Sequence, residues 1–92
     1  MKTFGMYSMV RVVAENEVTH RTEFERYFKF DEVWEAKKVY NNMINNLRTL
    51  KQFDKILEDP TFDVYEKQAR ALVYNCEDHT FDTVYTVKME VV

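Results

Sequence analysis

The most chemical-looking stretch of the sequence is Cys76-Glu77-Asp78-His79. A thiol and an imidazole three residues apart could pair as nucleophile and base, or give a metal two ligands. A metal wants three or four converging donors, and the only other histidine, His20, reaches this cluster only if the fold carries it there. A nucleophilic thiol needs a lowered pKa and donors for the oxyanion, and nothing beside Cys76 supplies either. The tetrapeptide reads first as a polar turn. His20, Glu23 and Glu25 form a second cluster. In an alternating strand the two glutamates share one face and His20 takes the other, so the cluster reads as a solvated strand edge. General acid–base work also wants a cleft, which so short a chain with few loops hardly provides. No catalytic residue, cofactor or metal site is assigned, and an enzyme built on Cys76 or His79 is the least favoured class.

A third constellation lies on a longer element. Lys37, Arg48, Lys51 and Lys55 recur at helical spacing, with Asn41, Asn45 and Gln52 beside them and Trp34 near the same stripe. Cations, amides and an aromatic in a row could track a phosphate backbone. They could equally dock an acidic protein surface, where Trp and Arg often dominate binding. A solvated helix flank, with Trp34 covering the end of a sheet, is the plainest reading.

The element that must position this stripe is Asp31–Glu58, the longest stretch without Gly or Pro that keeps a helical period. Ala36, Tyr40, Met43, Leu47, Leu50 and Leu57 fall on one face and predict the core side of a long helix. Asp31 is the expected N-cap, and Asp59-Pro60 the stop, because the residue before proline avoids helical geometry.

Before the helix, residues 3–14 alternate and predict a strand. Phe4, Met6, Val10 and Val12 share one face; Tyr7, Met9 and Val13 share the other. Residues 15–19 make a hairpin loop, and residues 20–30 a second strand with Phe24, Phe28 and Phe30 inward and Glu23, Glu25, Tyr27 and Lys29 outward. Residues 63–75 read equally as helix or strand. Asp63 and Glu66 have a capping-box spacing and Glu66–Leu72 favours helix, yet Leu72–Tyr74 could enter a hairpin with the last strand. Residues 81–92 predict a strand with Phe81, Tyr85, Val87, Met89 and Val91 on one face. The expected fold is a single α+β domain over residues 1–92. It has an antiparallel or mixed sheet of three to four strands and one long helix on one face, in the order β-β-α-(α or β)-β.

One helix covers one face. Tyr7, Met9, Val13, Tyr27 and Val84 fall on the other, and an apolar patch of that size predicts self-association through the sheet. With 92 residues the core is small, and a partner subunit would add burial.

Composition narrows the function classes. Gly5 and Pro60 are the only residues of their kinds, so no glycine-rich phosphate loop or dinucleotide fingerprint can form. A single cysteine allows no internal disulfide and fits a reducing compartment. The N-terminal stretch matches neither a signal peptide nor a membrane span, so a cytoplasmic protein is expected. Net charge is −3, spread unevenly: residues 1–58 carry ten Lys or Arg against nine Asp or Glu, and residues 59–92 three against seven. The last third suits a basic partner. The richness in Asn, Lys, Tyr and Phe fits an AT-rich coding sequence such as a phage's. These features predict a small non-catalytic module, such as a phage-type accessory protein or inhibitor, that binds another protein and forms a homodimer. Nucleic-acid binding through the helix stripe is the alternative.

Overall fold

The computed structural model describes residues 9–61 and 64–92. It has five strands and one α-helix: β1 (Met9–Asn16), β2 (Arg21–Lys29), α1 (Val33–Thr49), β3 (Lys55–Glu58), β4 (Lys67–Asn75) and β5 (Thr80–Val91). The strands form one sheet in the order β2-β1-β5-β4-β3, every neighbouring pair antiparallel. The α+β class is as expected, with five strands where three to four were expected. The predicted strand faces that begin at Phe4 and Met6, the predicted residue Tyr7, and the capping residue Asp63 lie outside the described residues.

Alternation on β1 works as the sequence predicts. Val10, Val12 and Ala14 pair with Phe28, Arg26 and Phe24 on one side and with Val91, Met89 and Val87 on the other. Helix α1 closes this face with Val33, Ala36, Tyr40, Ile44 and Leu47, all buried. Removing these aliphatic surfaces from water is the main stabilising term of so small a fold. Among the described residues no helix is long and apolar enough to cross a membrane.

The helix departs from expectation at both ends. A 3-10 turn at Phe30–Glu32 precedes it, and Glu32, not Asp31, accepts the Lys29 N–H at 2.9 Å. It ends at Thr49, nine residues before Glu58. Leu50 is extended (ψ 126°) and its N–H closes the last turn on the Leu47 carbonyl at 3.1 Å. Leu50 therefore leaves the core stripe, and Ile44, absent from the predicted stripe, belongs to it. Leu57 leaves too, because Lys55–Glu58 pairs with β4 as an edge strand. Two aspartates pin that strand. The Asp54 amide donates to the Leu72 carbonyl (2.9 Å) and its carboxylate accepts the Tyr74 N–H (2.8 Å). At the other end the Asp59 amide donates to the Gln68 carbonyl (2.9 Å), and its carboxylate accepts from Gln68 Nε2 (2.7 Å) and Arg70 Nη2 (2.9 Å).

Residues 67–75 are strand, which settles the even choice left by the sequence. Central pairing with β5 on one side and β3 on the other satisfies the backbone of β4 and outweighs the helix propensity of Glu66–Leu72.

Two bulges re-aim side chains. Ala14 pairs with Phe24 but Glu15 with Thr22, leaving Glu23 as an extra residue in β2. Ala71 pairs with Tyr85 but Leu72 with Thr83, leaving Val84 extra in β5. One inserted residue reverses the faces of everything beyond it. Phe81 is therefore not on the face of Val87 and Met89, and Glu23 and Glu25 do not share a face.

The two long hairpins turn in the same way. Asn16 Oδ1 accepts the N–H groups of Val18 (3.0 Å) and Thr19 (3.1 Å), and His20 closes the loop at φ 58°. Asn75 Oδ1 accepts those of Glu77 (2.9 Å) and Asp78 (3.3 Å), and His79 closes that loop at φ 56°. Asn and His stand in the left-handed and side-chain-bonded positions that glycine would otherwise take.

Candidate binding surface

Beyond the β5 bulge, alternation places Leu72 and Tyr74 of β4 and Phe81 and Thr83 of β5 on the sheet face away from α1. Tyr74 and Phe81 are cross-strand partners and pack edge-on with ring centroids 5.3 Å apart. They are 40% and 48% exposed, over a Leu72 that is 6% exposed. Lys55, paired with Leu72 from the edge strand, puts its ammonium 5.6 Å from the Phe81 ring. The Tyr74 hydroxyl meets His79 Nδ1 at 3.1 Å. Both rings are thus held on strands rather than on a loose loop. Asp54 accepts the Tyr74 N–H at 2.8 Å, and Glu77 and Asp78 lie in the adjoining turn, whereas Asp82, the partner of Val73, falls on the helix side of the sheet.

Elsewhere on the face away from α1, polar pairs are interleaved with Met9, Val13 and Tyr27. Arg11 donates to Glu90 through both Nε and Nη2, and to Glu25 at 3.1 Å. The Glu90 hydrogen bond lifts the guanidinium further above its ordinary pKa, against the opposing effect of burial. Partly exposed pairs of this kind add little to stability but break up any apolar continuity.

Of the residues expected to mediate self-association, Met9, Val13 and Tyr27 share the sheet face away from α1. Met9 is half-buried and Val13 buried, and Tyr27 is 47% exposed beside Arg11. Val84 is the bulge residue and lines a cavity with Leu47 and Leu50 on the helix side. Tyr7 lies outside the described residues. The continuous apolar patch drawn from the sequence is therefore not formed by the described residues, because the β5 bulge removes one member and side-chain packing buries another.

The predicted helix stripe is also redistributed. Trp34, Lys37, Asn41, Asn45 and Arg48 do share one flank of α1, with Trp34 63% exposed and the Lys37 ammonium 5.1 Å from its ring. Arg48 is paired with Glu58 at 2.7 Å. Lys51 follows the helix in a turn. Lys55 is on the opposite face of the sheet, over Phe81, and is not a helix residue.

Cys76 is exposed in the β4–β5 turn, and among the described residues no hydrogen bond links it to His79. No three His, Cys, Asp or Glu side chains among the described residues converge to hold a metal ion. His20 sits in the other turn. Glu25 bonds Arg11 on the uncovered face, while Glu23 bonds Asn16 and Tyr85 beneath the end of the helix.

Tyr74 and Phe81 were not singled out by the sequence, which placed Phe81 on one face with Tyr85, Val87, Met89 and Val91. No glycine marks the bulge that turns it outward. The one available signal is the repeated Asn-x-x-x-His spacing at residues 16–20 and 75–79, which marks two equivalent tight turns and hence the cross-strand pairing of Tyr74 with Phe81. Comparison with models of known protein families, with curated proteins and with solved structures finds no match for this chain.

Proposed function

We propose that the chain is a small non-catalytic protein-binding module, and that it engages a basic partner through the aromatic end of its uncovered sheet face. The observation that carries this reading is the Tyr74–Phe81 pair, half-exposed and fixed on adjacent strands, with Asp54 on the Tyr74 amide and Glu77 and Asp78 in the adjoining turn. Aromatic rings on rigid strands present a large contact area with little rotamer entropy to lose, which is the usual make-up of a binding hot spot. Asp54, Glu77 and Asp78 at this end of the sheet outnumber Lys55 and favour a basic surface over an acidic one. A pull-down from the native host with mass spectrometry tests it, using the wild-type chain and Phe81→Ala as paired baits. The expected outcome is a partner retained by wild type and lost with Phe81→Ala, through a weakening of ~2 kcal/mol or about 30-fold. Capture of the same proteins by both baits refutes the proposal.

A homodimer through the same face is a second reading, favoured by the exposure of Tyr27 beside Arg11. Sedimentation equilibrium separates it from the first: a monomer at high micromolar concentration removes it.

A further inference from the structure

On the opposite side of the sheet, a cavity of about 470 Å³ lies where the end of α1 overhangs the bulged strands. Leu47, Leu50, Phe53, Val73 and Val84 give it apolar walls, and Asn16, Thr19, Gln52 and Tyr85 add polar groups to the lining. Both bulges open into it, since Glu23 and Val84, the two inserted residues, are among its lining. Glu23 is the one charged side chain in that lining. Its carboxylate is held in place by two neutral donors, Asn16 Nδ2 to Oε2 at 3.0 Å and the Tyr85 hydroxyl to Oε1 at 3.1 Å. Among the described residues no Lys or Arg pairs with it. A carboxylate accepts about four hydrogen bonds, so each oxygen keeps capacity for another donor. The volume matches small-molecule sites, which combine apolar walls with a few placed polar groups.

We infer that this cavity is a binding site for a small apolar primary amine, its hydrocarbon part between α1 and the bulged strands and its ammonium on Glu23. Charge complementarity selects the cation. Glu23 is exposed at the mouth of the cavity: an anionic head would face it directly, and a cationic head gains a charge-assisted contact there that a neutral one lacks. The concave shape selects a small molecule over a flat protein surface. This inference is independent of the aromatic face, which lies across the sheet.

Amide shifts of the ¹⁵N-labelled full chain, titrated with phenethylamine, phenethyl alcohol and hydrocinnamate, test it. Phenethylamine is expected to give saturable shifts confined to Leu50, Phe53, Val84, Tyr85 and their neighbours. The alcohol should bind about threefold to fivefold more weakly, the difference an exposed ion pair supplies, and the acid should not bind. In Glu23→Gln, with an otherwise unchanged spectrum, the amine should fall to the affinity of the alcohol. Val73→Phe, which fills the cavity, should abolish both. Equal affinity for amine and alcohol, an unchanged amine affinity in Glu23→Gln, or no saturable shift overturns the inference. So does binding of a capped phenylalanyl-lysine dipeptide without binding of the free amine, which would make the cavity a peptide site.

Discussion

Two substitutions on one helix face decide whether α1 stops at Thr49. Ile44 is 2% exposed in the centre of the core cluster, and Leu50 is 44% exposed just past the helix end. Ile44→Ala removes fully buried methyl groups and leaves a void that the sheet and helix close only in part, a loss of ~3 kcal/mol. Leu50→Ala removes a side chain that is already half in water and borders an open cavity. Its cost is the transfer term alone, scaled by its burial, or ~1 kcal/mol. A chain of this length has a total stability of roughly 5–10 kcal/mol, so the first change takes a large share and the second a small one. With a urea slope of ~1 kcal/mol/M, Ile44→Ala should lower the midpoint by roughly 2–3 M and Leu50→Ala by about 1 M or less. Circular dichroism during urea unfolding reads both. Equal costs would mean that the helical stripe runs on through residue 50, and the assignment of residues 55–58 to an edge strand would fall with it.

Asp59→Ala removes the acceptor shared by Gln68 and Arg70 at the end of the edge strand. These groups are partly exposed, so water takes over some of the bonding and the cost is ~1 kcal/mol. Hydrogen exchange should accelerate in β3 while β1 and β5 stay protected, and uniform acceleration would contradict a local clamp. The Tyr85 hydroxyl is pushed up from 10.0 to about 12, first by burial and then by its hydrogen bond to Glu23. The unfolded chain therefore releases this proton first as pH rises. The stabilisation Tyr85 provides is complete below pH 10 and is lost as pH climbs through about 12. Ultraviolet titration should show Tyr85 ionising late, alongside Tyr40, which burial pushes up further, and in Glu23→Gln only the Tyr85 midpoint should move back toward 10. No change on that substitution would separate Tyr85 from Glu23.

Strands β1, β2 and β5 were legible because a half-buried strand writes its period directly into the sequence, as Val10, Val12 and Ala14 do against Phe24 and Phe28. The helix was legible from Ala36 to Leu47 for the same reason at the other period. Its end was not. Leu50 and Leu57 happen to continue the helical spacing, and only the open edge of β4 gives residues 55–58 a better use as a strand, with Ile56 rather than Leu57 turned toward the core. Residues 67–75 show the same override: their local preference is helical, and the backbone partners that outweigh it come from far away in the chain. The candidate surfaces were the least legible part. Both depend on inserted residues, Glu23 and Val84, whose identities are ordinary for strands, so nothing in composition or period announces a face reversal. The helix stripe was legible as far as Arg48, and it dispersed where the helix did.

The order β2-β1-β5-β4-β3 puts side by side, at the centre of the sheet, the two strands farthest apart in the sequence. Their outer ends are joined, with the Val92 amide donating to the Met9 carbonyl at 3.0 Å. During synthesis, a nascent chain that has not yet reached residue 80 can form the β1–β2 hairpin and the β3–β4 hairpin, but it has nothing to place between them. The helix then has half a floor on either side of a gap. The middle of this sheet is its last part to exist, so the two halves must stay soluble and open-edged until β5 arrives.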